Sequence, residues 1–531
     1  MTKSAATEQI TGRSYLAGTW ISPEGKSFTS IDPRTKSPFN SFTSCGIKEV
    51  EMAAHEAISA YHVYRAYDGK QIGAFLHAIA DEIEALGDIL LEVGDKETGL
   101  GIPRLTGERG RTCGQIRAFA DLVIKGEWVQ ASIDTADPNR QPVPKPDLRR
   151  MMRPIGPVAV FGASNFPFAF GVVGGDTASA LAAGNPVIVK GHSAHPGTSE
   201  LFAVAVEKAI EKTGVPKGVF SMLQGANREL GTSLVKHPDI QAVGFTGSVG
   251  GGRALVDLAA NRPQPIPVYA EMGSINPVFI GPATLASQVA QIAPALAGSV
   301  CLGTGQFCTS PGLVVTVSND DFENQLQEAL NNNPKGVMLN PRIADALVDG
   351  LSRLKDHPKV TWLNEQEIEE GTMTPPNSVL KTSGDAFLAD HSLWEEVFGP
   401  VTLIVDCSDV NQMLEVAGQL EGNLTGSVHS DDDPALLDQL IPLLEQKVGR
   451  IIYNGYPTGV EVNSSQQHGG PYPSSSVANS TSVGMDAIVR FSRFVAYQEI
   501  PDGSLPKQLQ SANPLGIFRK VNGTLTQEAI K

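Results

Sequence analysis

The spacing of apolar positions along this chain changes near residue 153. Up to residue 97 they recur every three or four places, as in Ala54, Ile58 and Tyr61 and again in Phe75, Ile79 and Ile83. That spacing gathers them on one helix face, so residues 47–97 are expected to be helical. A polar stretch follows at 126–150, with Pro138, Pro142, Pro144 and Pro146. Proline fixes φ and removes a backbone donor, so this stretch reads as an excursion from the first domain. From Arg153 onward short apolar runs take over. Val158–Phe161, Pro186–Lys190, Val219–Leu223 and Ala242–Thr246 read as buried strands, and Gly171–Ala183 and Ser199–Thr213 as the helices between them. Strands alternating with helices predict an α/β class with a parallel, doubly wound sheet. The same style over about 283–480 predicts a second such domain. No sequence repeat of about 20–50 residues and no low-complexity tract interrupts it.

Composition narrows the partners. At 531 residues the chain exceeds one usual domain of about 100–200 residues. Its 41% hydrophobic and 18% charged content fits a globular chain with a large core, and no apolar run stands out as long enough to span a bilayer. A formal net charge of -16 argues against nucleic acid or an anionic membrane as a main partner, since both attract basic patches. A local arginine could still receive an anionic substrate. The five cysteines, Cys45, Cys113, Cys301, Cys308 and Cys407, are widely spaced and form no C-x-x-C pair. Neither a disulfide framework nor a zinc site is expected, and a reducing compartment is. The segment Met1–Thr7 lacks the apolar core of a signal peptide, which leads to a cytoplasmic expectation.

Three short motifs carry candidate chemistry. Cys308 sits among small residues in Gly303-Thr-Gly-Gln-Phe-Cys308-Thr-Ser-Pro311. Glu271 opens Glu271-Met-Gly-Ser-Ile-Asn-Pro277, directly after the apolar run Ile266–Ala270, which suggests an inner position. Asn165 lies in Phe161-Gly-Ala-Ser-Asn-Phe-Pro167. A nucleophile, a carboxylate base and an amide donor together suit covalent attack on a carbonyl. Alone, each has a plain structural reading: a small buried hydrophobe, a surface charge, a turn residue.

In this order and with these neighbours, the three motifs resemble the aldehyde dehydrogenase superfamily, over about Ile10 to Pro501. The resemblance implies an aldehyde dehydrogenase-like α/β fold of two doubly wound parallel-sheet domains plus a small β oligomerisation flap. The expected parts are a cofactor-binding domain at 1–128 and 150–282, a catalytic domain at 283–484, and a flap and tail at 129–149 and 485–531. A homodimer or homotetramer follows from the flap. Cys308 is then the nucleophile, Asn165 and the Cys308 backbone N–H the oxyanion donors, and Glu271 the base for hydrolysis of a thioacyl-enzyme.

The resemblance also implies a nicotinamide cofactor, although no G-x-G-x-x-G follows the first strand. Phe245, Gly247, Ser248 and Gly252, in Phe245-Thr-Gly-Ser-Val-Gly-Gly-Gly252, would open a helix beside the pyrophosphate. Lys190 would contact the adenosine ribose, Glu396 the nicotinamide ribose, and Phe398 would pack nearby. Ser193 stands where many NAD-preferring relatives carry a glutamate. A serine removes the repulsion of a 2′-phosphate, and Arg228 is a candidate cation for it, so NADP is expected with NAD possible.

His468, in Gln466-Gln-His-Gly-Gly470, resembles a subgroup containing 2-oxoglutarate semialdehyde dehydrogenases and an NADP-dependent fatty aldehyde dehydrogenase. There the histidine approaches the cysteine. The segment Glu108–Phe119 reads as a helix with Thr112, Gln115 and Phe119 on one face and Arg109 and Arg117 around it. The matching family helix lines the substrate tunnel, so Arg117 and Gln115 are candidates for the carboxylate of 2,5-dioxopentanoate. A surface arginine with its stem packed is the competing reading for Arg117. A medium- or long-chain aldehyde is the alternative substrate. A cysteine hydrolase built on Cys308 and His468 is the rival class, and it leaves Lys190, Glu396 and Phe398 unexplained.

Overall fold

The structure, a computed structural model, describes residues 10–431 and 433–530. Met1–Thr7, on which the signal-peptide expectation rests, lies outside it. A seven-stranded sheet runs in the order Val268–Glu271, Ala242–Thr246, Val158–Phe161, Val187–Lys190, Phe220–Leu223, Ser14–Leu16 and Thr19–Ile21. The first five strands are parallel and the last two antiparallel. The parallel strands are apolar almost without interruption because helices cover both faces. Val158, Val160, Val187 and Val189 pack against Tyr64, Phe75, Ile79 and Phe202 on one side. Ala159, Phe161, Ile188 and Leu223 meet Val50, Ala53, Leu230 and Leu234 on the other.

A second seven-stranded sheet has the order Val360–Trp362, Ser378–Ser383, Val401–Cys407, Leu313–Val317, Val278–Ile280, Asn423–His429 and Val448–Tyr453. All its pairings are parallel except the first. A five-stranded sheet joins Ser492–Gln498, Leu148–Pro154, Ser132–Asp134, Arg519–Val521 and Thr524–Thr526.

Five expectations need correction. Val278–Ile280 belongs to the second sheet, so the division of domains falls between 271 and 278, before the expected 282. Leu148–Pro154 runs across the expected boundary at 149/150 as one continuous strand. The helix expected over Gly171–Ala183 is Gly175–Ala182. Its expected start is a tight turn, where a Cβ on Gly174 would lie 2.5 Å from the Ala169 carbonyl oxygen. The helix expected from Ser199 begins at Pro196, because proline suits the first helical turn and Glu97 accepts from the Gly197 and Thr198 N–H groups, both at 2.9 Å. Finally, Pro282–Gly305 is long and apolar enough to cross a bilayer by length and composition. Its Leu285, Val289, Ile292, Leu296 and Val300 instead pack on Val278, Ile280 and Val314 of the second sheet.

Candidate active site

Ligands of doubly wound sheets gather where parallel strands end. Here Lys190 and Glu271 are the last residues of their strands, and Asn165 lies four positions past Phe161. The Val268–Glu271 strand is extended by the loop that carries His468. Met272 N–H donates to Ser474 O at 2.8 Å, Ser476 N–H donates to Ala270 O at 3.0 Å, and Glu271 bridges Ser475. This pairing fixes where the loop can place its histidine.

Cys308 arrives from the second domain. It follows a turn in which Gly303, Thr304 and Gly305 all adopt positive φ. A Cβ on Gly305 would lie 2.1 Å from the Gly399 backbone, so glycine is required twice over, by conformation and by space. The Asn276 amide donates to the carbonyls of Cys308 and Ser310, both at 2.9 Å, and fastens the cysteine loop to the motif begun by Glu271.

Cys308, Glu271 and His468 then converge, with one donor atom from each lying within 4.8 Å of the others. His468 Nε2 is 2.9 Å from Glu271 Oε1 and 3.5 Å from Cys308 Sγ. Ser482 donates its hydroxyl to the other Glu271 oxygen. Burial by itself would push the Glu271 carboxyl up, but His468 and the Ser482 hydroxyl hold it below the ordinary carboxylate range. The Cys308 thiol is pushed well up, first by burial and then by Glu271. Both shifts describe a resting thiol beside a carboxylate.

Asn165 is buried, and its amide donates to the Gln306 carbonyl at 3.1 Å, two residues before Cys308. Its own loop is held by the Ile102–Lys125 helix. Arg104 donates to the Asn165 carbonyl at 2.7 Å, and Glu108 accepts from Phe168 and Ala169 N–H at 2.8 and 2.9 Å. Arg111 and Gln115 share that helix face. Gln115 is buried, and Arg111 lies over the Phe170 ring, itself beside His468.

Arg117 does not point there. At 100° per residue it falls about 150° from the mean of Arg104, Glu108, Arg111 and Gln115. It bonds Glu84 at 2.6 Å and Asp81 at 2.8 Å on the outside of the domain. The expectation that Arg117 lines a substrate tunnel is therefore corrected. Arg109 likewise turns away and donates to the Gly87 carbonyl.

A cleft of about 600 Å³ separates the two large sheets, lined by Ser248, Gly250, Gly273, Trp394 and Glu396 among others. Ser248 caps the Val249–Ala260 helix, whose N-terminus faces this cleft. A Cβ on Gly250 would meet nothing within 4 Å, whereas Gly252 and Gly247 are backed by Met272 and Phe245. A bare helix N-terminus in an open cleft suits a pyrophosphate. Phe398 is half-buried near Glu396. Glu396 opens to the cleft yet lies deep between the domains, and desolvation moves its carboxyl up towards about 8. Water in the cleft moderates that rise. Lys190 is brought down to about 8 by burial, and its ammonium donates to the Gly225 carbonyl at 2.9 Å. That bond places the Gly225–Arg228 turn next to Lys190. Arg228 is exposed and Ser193 half-buried. The residues fit a dinucleotide.

Sequence reasoning missed Ser482, Asn276 and Arg111. Asn276 lies inside the quoted Glu271 motif, and Arg111 stands four residues from Gln115, so both carried a signal. Ser482 carried none.

The sequence model of the Aldehyde dehydrogenase family matches residues 20–492. The chain is 49% identical over 521 residues to alpha-ketoglutaric semialdehyde dehydrogenase 2 of Azospirillum brasilense, covering 97% of this chain and 99% of that one. It is 42% identical over 530 residues to alpha-ketoglutaric semialdehyde dehydrogenase of Acinetobacter baylyi, with the same coverage. Among solved structures, betaine aldehyde dehydrogenase of Staphylococcus aureus, in complex with NAD+, is similar with a TM-score of 0.79 at 18% identity, over 93% of this chain and 98% of that one. A 1-pyrroline-5-carboxylate dehydrogenase from Thermus with bound NAD gives 0.77 at 21% identity, over 93% and 95%.

Proposed function

This chain belongs to the aldehyde dehydrogenase family, and we propose that it oxidises 2,5-dioxopentanoate to 2-oxoglutarate with NADP preferred over NAD. The observation that carries the reaction is the meeting of Cys308, Glu271 and His468 beside the Asn165 amide. In this reading the Cys308 thiol first gives its proton to water, the thiolate Sγ adds to the aldehyde carbon, and the new oxyanion is received by the Asn165 amide and the Cys308 N–H. The nicotinamide, when bound, supplies the hydride acceptor. Glu271, oriented by His468 and Ser482, then takes a proton from the water that releases the acid from Cys308.

The substrate follows the semialdehyde dehydrogenases that share 42–49% of their residues with this chain. The NADP preference rests on Ser193, which offers no carboxylate to repel a 2′-phosphate, and on Arg228 beside the Lys190 turn. Assembly through the five-stranded sheet is part of the same proposal. Its outer strands, Ser492–Gln498 and Thr524–Thr526, each pair on one side within the chain, and Phe494 and Leu525 are exposed. A cysteine hydrolase would have no use for the dinucleotide-shaped cleft.

The experiment is a panel of aldehydes with each cofactor, scored by kcat/KM from the absorbance of reduced nicotinamide. Highest efficiency on 2,5-dioxopentanoate is expected. Highest efficiency on a long-chain aldehyde would overturn the substrate. Cys308→Ala should abolish oxidation and leave cofactor binding intact, and wild-type turnover by that variant would overturn the nucleophile.

A further inference from the structure

We propose that Arg111, assisted by Gln115, is the anchor for the substrate's distal carboxylate and so selects aldehydes that carry one. The inference rests on the aldehyde-oxidising reading above and adds to it the group that recognises the far end of the substrate.

Four residues of the Ile102–Lys125 helix share one face, at 104, 108, 111 and 115. The first two hold the Asn165 loop, although Arg104 Nη1 and Glu108 Oε2 are also buried without a partner. Arg104 holds the Asn165 carbonyl and is sandwiched between Phe166 and Phe307 at 5.0 and 4.8 Å, and Glu108 holds the next turn of that loop. The other two lie farther along the helix and have unused donors. Arg111 Nη1 and Gln115 Nε2 are both buried without a hydrogen-bond partner. Residues four apart on a helix are neighbours, so the two donors rise from adjacent turns of one face.

Arg111 is half-buried, but a buried guanidinium nitrogen without a partner is costly, and proteins rarely keep one without a use for it. The charged groups acting on Arg111 are Glu108, Cys308, Glu271 and Glu461. Glu108 is engaged through Oε1 with the Phe168 and Ala169 N–H groups, and its Oε2 has no hydrogen-bond partner, Arg111 included. Glu271 is engaged with His468 and Ser482, and Glu461 is exposed. Cys308 is the reacting atom. An incoming carboxylate would complete the site, and the planar fork of arginine matches a carboxylate better than lysine does.

Phe170 stands between the two ends of the site: Arg111 covers its ring at 5.5 Å, and the ring lies 6.4 Å from that of His468, which reaches Cys308. In an extended five-carbon substrate the carboxyl carbon lies about 5 Å from the aldehyde carbon.

The test compares kcat/KM for 2,5-dioxopentanoate, for 5-oxopentanoate and for pentanal, in the parent and in Arg111→Met. The ratio of either carboxylate substrate to pentanal should fall at least about 100-fold in the variant, chiefly through KM. That corresponds to about 2.8 kcal/mol. A common fall on all three substrates would mean a structural role and overturn the proposal, as would an unchanged ratio. Should Arg111→Met fail to fold, Arg111→Lys keeps the charge without the fork and should lower the same ratio about 10-fold. An unchanged ratio there also overturns it. The two readings fail differently. A parent that prefers 5-oxopentanoate, with the preference lost in Arg111→Met, corrects the substrate and leaves the anchor. A parent that prefers 2,5-dioxopentanoate, with the preference kept in Arg111→Met, does the reverse.

Discussion

Glu271→Gln should make Cys308 more acidic. The carboxylate is held below its usual range by His468 and Ser482, so at neutral pH it is an anion, and it stands among the causes that push the thiol up. Two unit charges 4.8 Å apart, the outer limit of their separation, interact by about 3.5 kcal/mol at an effective dielectric of about 20. At about 1.36 kcal/mol per unit, removing that repulsion alone lowers the thiol pKa by about 2.5. The glutamine also frees His468 to pair with the thiolate, 3.5 Å away. Loss of the His468–Glu271 contact offsets part of this, so a fall of about 1–2.5 is expected. The assay is the rate of alkylation by iodoacetamide against pH, without cofactor. The reagent is uncharged, so a change of charge at residue 271 does not steer it. Circular dichroism checks folding, because replacing one member of a buried pair is costly. A midpoint unchanged or moved to higher pH would refute the reasoning and make Glu271 the activator of the thiol. In turnover, the same variant should give a burst of reduced cofactor and then a slow steady state, since its defect lies in hydrolysis.

Three further outcomes are expected. Asn165→Ala should lower kcat by about 10²–10³, the effect of one oxyanion donor, and an effect under 10-fold measured by steady-state kinetics would remove it from that role. Glu396 is raised towards about 8, so at lower pH the free enzyme keeps its proton there and the group accepts ribose hydroxyls less well. Cofactor affinity should therefore improve as pH rises towards 8. Fluorescence titration should find that slope flattened in Glu396→Gln, and an equal slope would place its origin elsewhere. Arg228→Ala should weaken NADP by about 10- to 150-fold and barely change NAD, while Ser193→Glu should move preference towards NAD. A parent that binds NAD at least as well as NADP, by titration of both, ends the phosphate-site argument.

Strands were legible in this sequence because burial on both faces makes them uniformly apolar, as in Val158–Phe161 and Ala242–Thr246. Boundaries that depend on close backbone passage were not. Nothing in the composition of Gly171–Gly174 separates a tight turn from a small-residue helix until the neighbouring chain is known. The candidate catalytic set was legible through its motifs, since Cys308, Glu271 and Asn165 each sit in a segment whose glycines and turns have local causes. What the motifs did not hold was direction. Helical spacing gave the face of Ile102–Lys125 that bears Gln115, and Arg117 fails on that arithmetic alone, while Arg111 meets it. Choosing between them also required knowing which face meets the Asn165 loop, a contact between positions 61 residues apart. Ser482 acts through a hydroxyl supplied 211 residues from Glu271, at a distance no local pattern encodes.

The proposed order of steps explains why a base that opposes the nucleophile is tolerated so close to it. At rest Glu271 raises the thiol and slows formation of the thiolate. Once Sγ is bonded to the substrate carbon its charge is gone, and so is the repulsion. The carboxylate is then an anion beside a neutral thioester, which is where a base is needed. Its two oxygens stay fixed, one by His468 and one by Ser482, but each ionised oxygen has a further lone pair for a water. His468 serves both states, because its Nε2 lies within reach of Sγ and of Oε1. Replacing His468 should accordingly damage both halves of the reaction. With His468→Asn the thiol loses the ring nitrogen 3.5 Å away, and Glu271 loses one of the two hydrogen bonds that hold it below its usual range. Rapid-mixing kinetics should show a smaller burst as well as a slower steady state. A full burst with only the later phase slowed would confine His468 to the hydrolytic half.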